Sequence, residues 1–339
     1  MGRARKPAPD AEADSGLDKY TAGVAGMSYE AAGVSLAKAE EIVERLRAAA
    51  ASTHTRGASG SFGGFAGLYA LDEKRLLAAS TDSVGTKLIL QRASGHLHWG
   101  GMDATAHCIN DVLTCGAEPL FFLDYVAANK IELELVTELV EGAAEVCRDS
   151  SCVLLGGETA ELPGIYAEGE LDFAGTCIGL VERERLIDGP SGCKPGDVVL
   201  GLRSAGLHAN GFTLVRSLIG SDEFDAELLL PPTICYLEDV RELRERAEIH
   251  ALAHITGGGI PGNLARVLPP GVGARIETGS WQRGAVYDWI SEKGVSEEEQ
   301  RRVFNLGIGY CVVVPEADVS PDDLVIGRLE QGIQGVQFT

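Results

Sequence analysis

Apolar positions along this chain change period several times, and each change marks an element. From Leu36 to Ala51 they recur at helical spacing, which predicts a helix after an entry segment beginning at Ser28. A glycine-rich loop with two phenylalanines, "GASGSFGGFAG", follows and leads into a strand. Residues 75–81 predict another strand that ends at Asp82. The small residues of 103–115 predict a helix, with Asp103 as N-cap, Gly116 as its left-handed terminator and Pro119 just beyond. "PLFFLDYVA" predicts a mostly apolar strand. Residues 132–147 predict an amphipathic helix with Leu133, Val136, Val140, Ala143, Ala144 and Cys147 inward. "CVLLGGETAE" reads as a strand breaking into a double-glycine acidic turn, and "LDFAGTCIGLVER" as a further strand.

At "IDGPSGCKPGDVVLGL" the texture breaks, with two prolines and four glycines in 16 residues. This places a domain boundary near residue 188. Beyond it the pattern predicts strands at 197–202, 272–277 and 307–314, helices at 211–219, 237–247 and 262–268, and the loop "ITGGGIPGN". The expected fold is α/β (α+β): two α/β domains with mixed sheets covered by crossover helices. Residues 27–187 form the first and 188–339 the second, after a mobile polar arm at 1–26.

Composition narrows the function. A chain of 339 residues, 45% of them hydrophobic, can fill two cores, and 43 glycines imply many tight turns and close backbone approaches. A net charge of −21 argues against nucleic acid or an anionic membrane as the main partner. An anionic ligand would then rely on glycine loops, helix N-termini, local Lys or Arg and divalent cations. No apolar run of about 18 residues suggests a membrane span. The basic N-terminus lacks the apolar core of a secretory signal, and Lys6 breaks the myristoylation pattern. The eight cysteines contain no C-x-x-C pair and sit mostly in apolar stretches, so they read as core thiols of a reducing, cytoplasmic compartment. His250 and His254, four apart without acidic or Cys ligands nearby, read as core or surface residues rather than a zinc pair.

Three acidic groups carry the candidate chemistry: Asp82 in "STDSVGTKL", Asp111 in "CINDV", and Glu158 with Glu161 in "LLGGETAELPG". Each alone reads as a turn-capping acid. Together, beside small-residue walls and strand ends, they read as a site that meets phosphates through Mg²⁺. Asp111 shares a helix face with Ala104, His107, Cys108 and Cys115, and a carboxylate on such a face needs a partner. Lys87, five residues past Asp82, offers a point charge. "GASGSFGGFAG" resembles an anion-cradling nest, but it is neither a Walker A loop nor a dinucleotide fingerprint. "SAGLHANGFTLVR" sets His208 and Asn210 before a helix, and "AHITGGGIPGN" sets three glycines before another, two starts ready for an anion.

Five segments, "TDSVGTKL", "CINDVLTCGAEPLFFLDY", "LLGGETAELPGIY", "GLHANGFTLVR" and "AHITGGGIPGNLARVLP", resemble in order and spacing the phosphoribosylformylglycinamidine cyclo-ligase (aminoimidazole ribonucleotide synthetase) family. The resemblance covers about residues 28 to 330. It implies a homodimer of AIR synthase-type N- and C-terminal domains that closes the ring of formylglycinamidine ribonucleotide, using ATP as co-substrate, Mg²⁺ and, as an optional addition, K⁺. It also implies roles. Asp82, Asp111 and Glu158 would be the metal carboxylates, and Asp82, Lys87, Asp111 and His208 the catalytic group. Gly60, Gly63 and Gly64 would close over ATP, with Thr81, Asn110, Gly156, Gly157 and Thr159 joining Asp82, Lys87, Asp111 and Glu158 around it. His208, Asn210 and Gly257, Gly258 and Gly259 would meet the ribose-phosphate end of the substrate.

Two positions depart from the family pattern: Ser83 stands where glycine is usual, and Arg47 where lysine is often found. A sibling ATP-dependent activating enzyme and a non-catalytic nucleotide-binding paralogue are the rival readings. The first cysteine, Cys108, lies past the glycine loop, unlike a selenophosphate synthetase, and the chain ends Gln337-Phe338-Thr339 without the cysteine of a hydrogenase-maturation dehydratase. Loss of Asp82, Asp111 or Lys87 would favour a non-catalytic protein, and all three are present.

Overall fold

The computed structural model describes residues 28–59, 64–219 and 224–339. The arm at 1–26, Gly60 and Gly63 lie outside the described residues. Among the described residues, twelve strands make two mixed sheets. The first holds β1 (Ala58–Ser59), β2 (Gly67–Ala70), β3 (Arg75–Ser83), β4 (Glu118–Ala128), β5 (Val153–Glu161) and β6 (Leu171–Glu182), in the order β1-β2-β3-β6-β4-β5. Only β4 and β5 run parallel there. The second holds β7 (Val198–Arg203), β8 (Ala251–His254), β9 (Val272–Ile276), β10 (Ile308–Val314), β11 (Val325–Gln331) and β12 (Val336–Phe338), in the order β12-β9-β11-β7-β10-β8. Its parallel pair is β9 with β12.

The helix α1 (Leu36–Ala51) spans the predicted residues, with the Ser35 hydroxyl accepting from the Lys38 amide as N-cap. The short α2 (Lys87–Ala93) leads into α3 (Leu97–Leu113), which lies with α4 (Leu133–Asp149) on one face of the first sheet. The second domain adds α5 (Gly189–Gly192), α6 (Phe212–Leu218), α7 (Ala226–Leu229), α8 (Leu237–Arg246), α9 (Gly259–Leu264), α10 (Ala285–Glu292) and α11 (Glu297–Val303).

Burial follows the two-residue period of the strands. In β10, Tyr310, Val312 and Val314 face a core shared with α3, α8 and the first sheet, while Cys311 and Val313 face the core beneath α6, α9 and α10. A strand buried on both faces reads as one continuous apolar run, which is why "IGYCVVV" has no polar alternation. The core containing α3 therefore joins the two domains. Among the described residues no helix lies over the other face of the first sheet, and Leu120, Leu123, Tyr125, Val153 and Leu155 are exposed.

Several expectations are corrected. The helix α3 starts at Leu97, six residues before Asp103, so Asp103 lies in mid-helix instead of capping it. The Gly100–Gly101 pair, ahead of the predicted helix, lies inside it and lets α3 touch α4. A Cβ at Gly101 would overlap the Leu139 carbonyl, and one at Gly142 the His98 carbonyl. The "LGGETAE" stretch stays in β5 through Glu161, paired in parallel with β4, instead of breaking into a turn. Leu133, expected inward, is 73% exposed because it opens α4 at the rim; Leu139, two turns on, takes the buried place. The helix predicted at 262–268 begins at Gly259, where the glycine loop becomes its first turn. Ser83 lies outside the left-handed region; the non-glycine residues with positive φ among those described are Ser151, His208 and Leu306. Serine in the usual glycine position thus costs no backbone strain.

Candidate active site

The site forms where the end of β3, the middle of α3 and the end of β8 meet. Along β3 the alternation turns Ser80 and Asp82 toward α3 and leaves Thr81 on the open face, where its hydroxyl meets that of Thr176 at 2.8 Å. On α3, His107 and Asp111 are one turn apart on the face toward β3 and the second domain. On β8, Leu252 and His254 share the α3-facing side.

Asp111 is held from two domains. Ser80 donates from Oγ to Asp111 Oδ2 at 2.8 Å, and His254 Nδ1 meets Asp111 Oδ1 at 2.9 Å. Its side chain is only 13% exposed. Asp82, with 40% of its side chain exposed, accepts from the Ser83 amide at 2.7 Å and faces His107 Nδ1 at 3.3 Å. The rings of His107 and His254 meet edge to face, with centroids 5.0 Å apart. One chain of contacts thus runs Asp82–His107–His254–Asp111.

The charges in this chain oppose one another. Burial pushes the Asp82 carboxyl up, but the His107 hydrogen bond and charge and the Ser83 amide bring it below its ordinary value. Burial pushes His107 down, and Asp82, Asp103 and Asp111 carry it above its ordinary value. For His254 burial outweighs the Asp111 hydrogen bond, so it ends lower. His208 is well below, first by burial and then by repulsion from His107, His254 and Lys87. One imidazole of the cleft is tuned toward its charged form and two toward neutrality.

Lys87 does not face an open cleft. It is fully buried at the start of α2, with Nζ 2.8 Å from Asp103 Oδ2, 3.0 Å from Oδ1 and 2.9 Å from the Pro231 carbonyl. Asp103 also accepts from Gln91 Nε2, the Thr233 amide and the Thr233 hydroxyl. Asn110 is likewise committed internally: Nδ2 donates to the Ile234 carbonyl, and Oδ1 accepts from the Tyr236 amide. Both side chains fasten the 231–236 segment to the first domain, so the nucleotide contacts implied for them give way to this internal role. Asn110 and Asp111 are neighbours with opposite tasks.

Glu158 also stands apart. It pairs in register with Tyr125, on the row next to the one containing Asp82, Gly175, Asp124 and Gly157. Adjacent rows face opposite sides, so within one chain Glu158 points away from Asp82 and Asp111 and cannot share an ion with them. Gly156, Gly157 and Thr159 lie exposed along the same edge strand. Gly64 is exposed at the end of the glycine loop, and the next residue, Phe65, lies under the Arg266 guanidinium at 3.9 Å. The loop therefore ends against the second domain.

The loops at 208–210 and 257–259 meet, since Asn210 Oδ1 lies 3.6 Å from where a Cβ on Gly257 would stand. His208 sits at φ +58°, fully buried, and its Nε2 accepts from the Ala205 amide at 3.3 Å. The ring proton is then on Nδ1, a buried donor without a partner among the described residues, as is Asn210 Nδ2. Sequence reasoning passed over Ser80, took Asp103 for an N-cap and took His254 for a core or surface residue. The signal for His254 was its place at the end of a four-residue apolar run before a glycine loop; the four-residue spacing from His250 hid it by suggesting a helix. His250 is instead buried against Asp197 at 2.7 Å, and no group of three His, Cys, Asp or Glu among the described residues could hold a metal.

Residues 63–181 match the family described as AIR synthase related protein, N-terminal domain, and residues 194–320 its C-terminal domain. The chain is 46% identical over 310 residues to phosphoribosylformylglycinamidine cyclo-ligase of Synechococcus sp. (strain RCC307), covering 86% of this chain and 90% of that protein. Among solved structures, thiamine monophosphate kinase from Aquifex aeolicus has a TM-score of 0.63 at 19% identity, covering 90% of this chain and 98% of that one. Hydrogenase maturation protein HypE in complex with ATP has a TM-score of 0.56 at 20% identity, covering 78% and 79%. At these identities the two structures share the fold alone.

Proposed function

The chain belongs to the phosphoribosylformylglycinamidine cyclo-ligase family, ligases of purine biosynthesis, and we propose that it forms its product through a phosphorylated amide. An amide oxygen leaves poorly, so direct closure of an imidazole ring has a high barrier. In the proposed sequence the formyl oxygen of formylglycinamidine ribonucleotide takes the γ-phosphoryl group of ATP and releases ADP. A nitrogen of the same substrate then attacks the activated carbon and loses a proton. The new C–N bond forms as the C–O bond breaks, and the oxygen leaves within inorganic phosphate. Such a path asks the protein for alignment and for stabilisation of spreading negative charge.

The observation that carries the reading is the chain Asp82–His107–His254–Asp111 at the junction of the two domains. Asp82 is the half-open carboxylate, each oxygen with one protein partner and the 40% exposed side chain still able to face a metal, and Asp111 lies behind it, more deeply buried and with both oxygens engaged. This donor set fits Mg²⁺, which takes one or two carboxylates and completes its shell with water and phosphate oxygens. When bound, Mg²⁺ neutralises phosphate charge. ATP in the complex of hydrogenase maturation protein HypE supports a nucleotide in this fold. The unpartnered donors of His208 and Asn210 support an anionic group beside Gly257, Gly258 and Gly259, for which the ribose phosphate is the natural occupant.

The test is release of phosphate from Mg-ATP by purified protein, with and without formylglycinamidine ribonucleotide, beside a colorimetric assay for the aminoimidazole product. Equal amounts of ADP and aminoimidazole are expected. Asp82→Asn is expected to lower kcat by at least about 100-fold with little change in Tm, because a half-exposed position tolerates the amide. ATP turnover without ring product would move the reading to a sibling activating enzyme; absence of turnover would leave a binding protein.

A further inference from the structure

His107 and His254 come from different domains and lie 147 positions apart in the chain order of their elements only through the fold: one is on α3, the other ends β8. Both turn Nδ1 to a carboxylate. Because a carboxylate only accepts, Nδ1 carries the proton in both contacts, and in the neutral ring Nε2 is left bare. Both Nε2 atoms are buried and have no partner among the described residues. A side chain kept only to fill this space would need neither nitrogen. The perpendicular packing of the rings further limits how either one can turn.

The carboxylates gain a defined orientation from this arrangement. Asp111 is fixed between Ser80 of the first sheet and His254 of the second, so its rotamer depends on how the two domains dock. Asp82 has a free edge toward solvent and owes the direction of its inner oxygen to His107. Imidazoles that orient carboxylates in this way are the mirror image of the familiar carboxylates that orient metal-bound histidines, and loss of such an outer partner typically weakens a site by about 10- to 100-fold.

We propose that His107 and His254 are a positioning pair that sets the orientations of Asp82 and Asp111 through Nδ1–H, with His254 doing so across the domain junction. The proposal rests on the reading of Asp82, with Asp111 behind it, as the carboxylate that faces Mg-ATP. It adds two residues that act on the site through those carboxylates and that make it sensitive to domain docking.

The test uses Leu and Asn at each position in the full chain. Asn retains an N–H near the place of Nδ1, whereas Leu retains only volume. Binding of Mg-AMPPCP, measured by calorimetry, reads the site without turnover, and kcat and KM for ATP are measured alongside. His254→Leu and His107→Leu are expected to weaken Mg-AMPPCP by about tenfold and to raise KM for ATP, and the Asn variants to recover to within about threefold of wild type. Asn variants as weak as Leu variants, with Tm unchanged, would overturn the proposal, as would Leu variants that bind like wild type. Should a Leu variant fail to fold, His254→Gln replaces it: its amide reaches toward Nε2, and a Gln variant better than Asn would overturn the Nδ1 role. Wild-type protein that binds Mg-AMPPCP but makes no aminoimidazole would overturn the assigned reaction while leaving the Asn and Leu comparison readable. Wild-type protein that binds no Mg-nucleotide would overturn the site and the pair together.

Discussion

Asp103 and Lys87 show what a single side chain can and cannot reveal in a sequence. The motif around Lys87 marks it as important, but its charge is satisfied by Asp103, 16 residues on, and by a backbone carbonyl at Pro231. Nothing local in the sequence points to that second partner. Burial lowers the ammonium below its ordinary value, with Asp103 opposing the shift. Removing one member of such a pair leaves the other buried and charged, typically at a cost of about 3–5 kcal/mol. Lys87→Met is therefore expected to lose about that much stability, seen as a lower urea midpoint, and to loosen the 231–236 segment in hydrogen exchange. A variant that is stable yet inactive would instead return Lys87 to the phosphates. Asp111 was legible as a buried carboxylate from its helix face, and His107 was visible on the same face. Its partners Ser80 and His254 were not, because a hydrogen bond between residues 143 positions apart leaves no trace in spacing.

Elements were legible where their pattern was local. The helix α1 and the strands β3, β4, β6, β7, β9 and β10 fall where periodicity places them, within two residues at their ends. The failures have physical causes. In α3 the start was set at Asp103, short of a glycine pair that serves a helix crossing, and in β5 a glycine pair was mistaken for a turn although it continues a ladder. Glycine marks both close approach and chain reversal, and only the neighbour decides which. The short β8 and β12, four and three residues long, carry too few positions to show a period. At the α3–α4 crossing the consequence is testable. Gly101→Ala would drive a methyl into the Leu139 carbonyl, a backbone atom that cannot rotate away, so the loss should reach or exceed the upper end of overpacking costs, about 3 kcal/mol. Thermal unfolding of Gly101→Ala beside exposed Gly262→Ala would separate this contact from a general effect of glycine replacement. Equal Tm losses would count against it.

Among the described residues, one face of the first sheet is left uncovered by the helices. The first sheet packs α3 and α4 on one side, while Leu120, Leu123, Tyr125, Val153 and Leu155 stand exposed on strands β4 and β5. A mixed sheet with a bare apolar face is unusual for a chain that acts alone, since contiguous apolar patches on monomers are small and an antiparallel sheet facing water normally alternates polar residues outward. A second copy, matched face to face about a twofold axis, would cover the patch with the same residues it presents. This supports the homodimer that the family resemblance implied, and it gives Thr81 and Glu158 a place, since both lie on that open side and away from Asp82. The expected result is sedimentation at about twice the 35.7 kDa chain mass, with Leu123→Arg combined with Leu155→Arg shifting the protein to the monomer. Positive charge is chosen because the chain carries −21, so the substitutions lower rather than raise repulsion between copies. Separation would then report the loss of apolar contact and the burial of unpaired charge. A monomeric wild type, or a double variant that still sediments as the dimer, would remove this face as the interface.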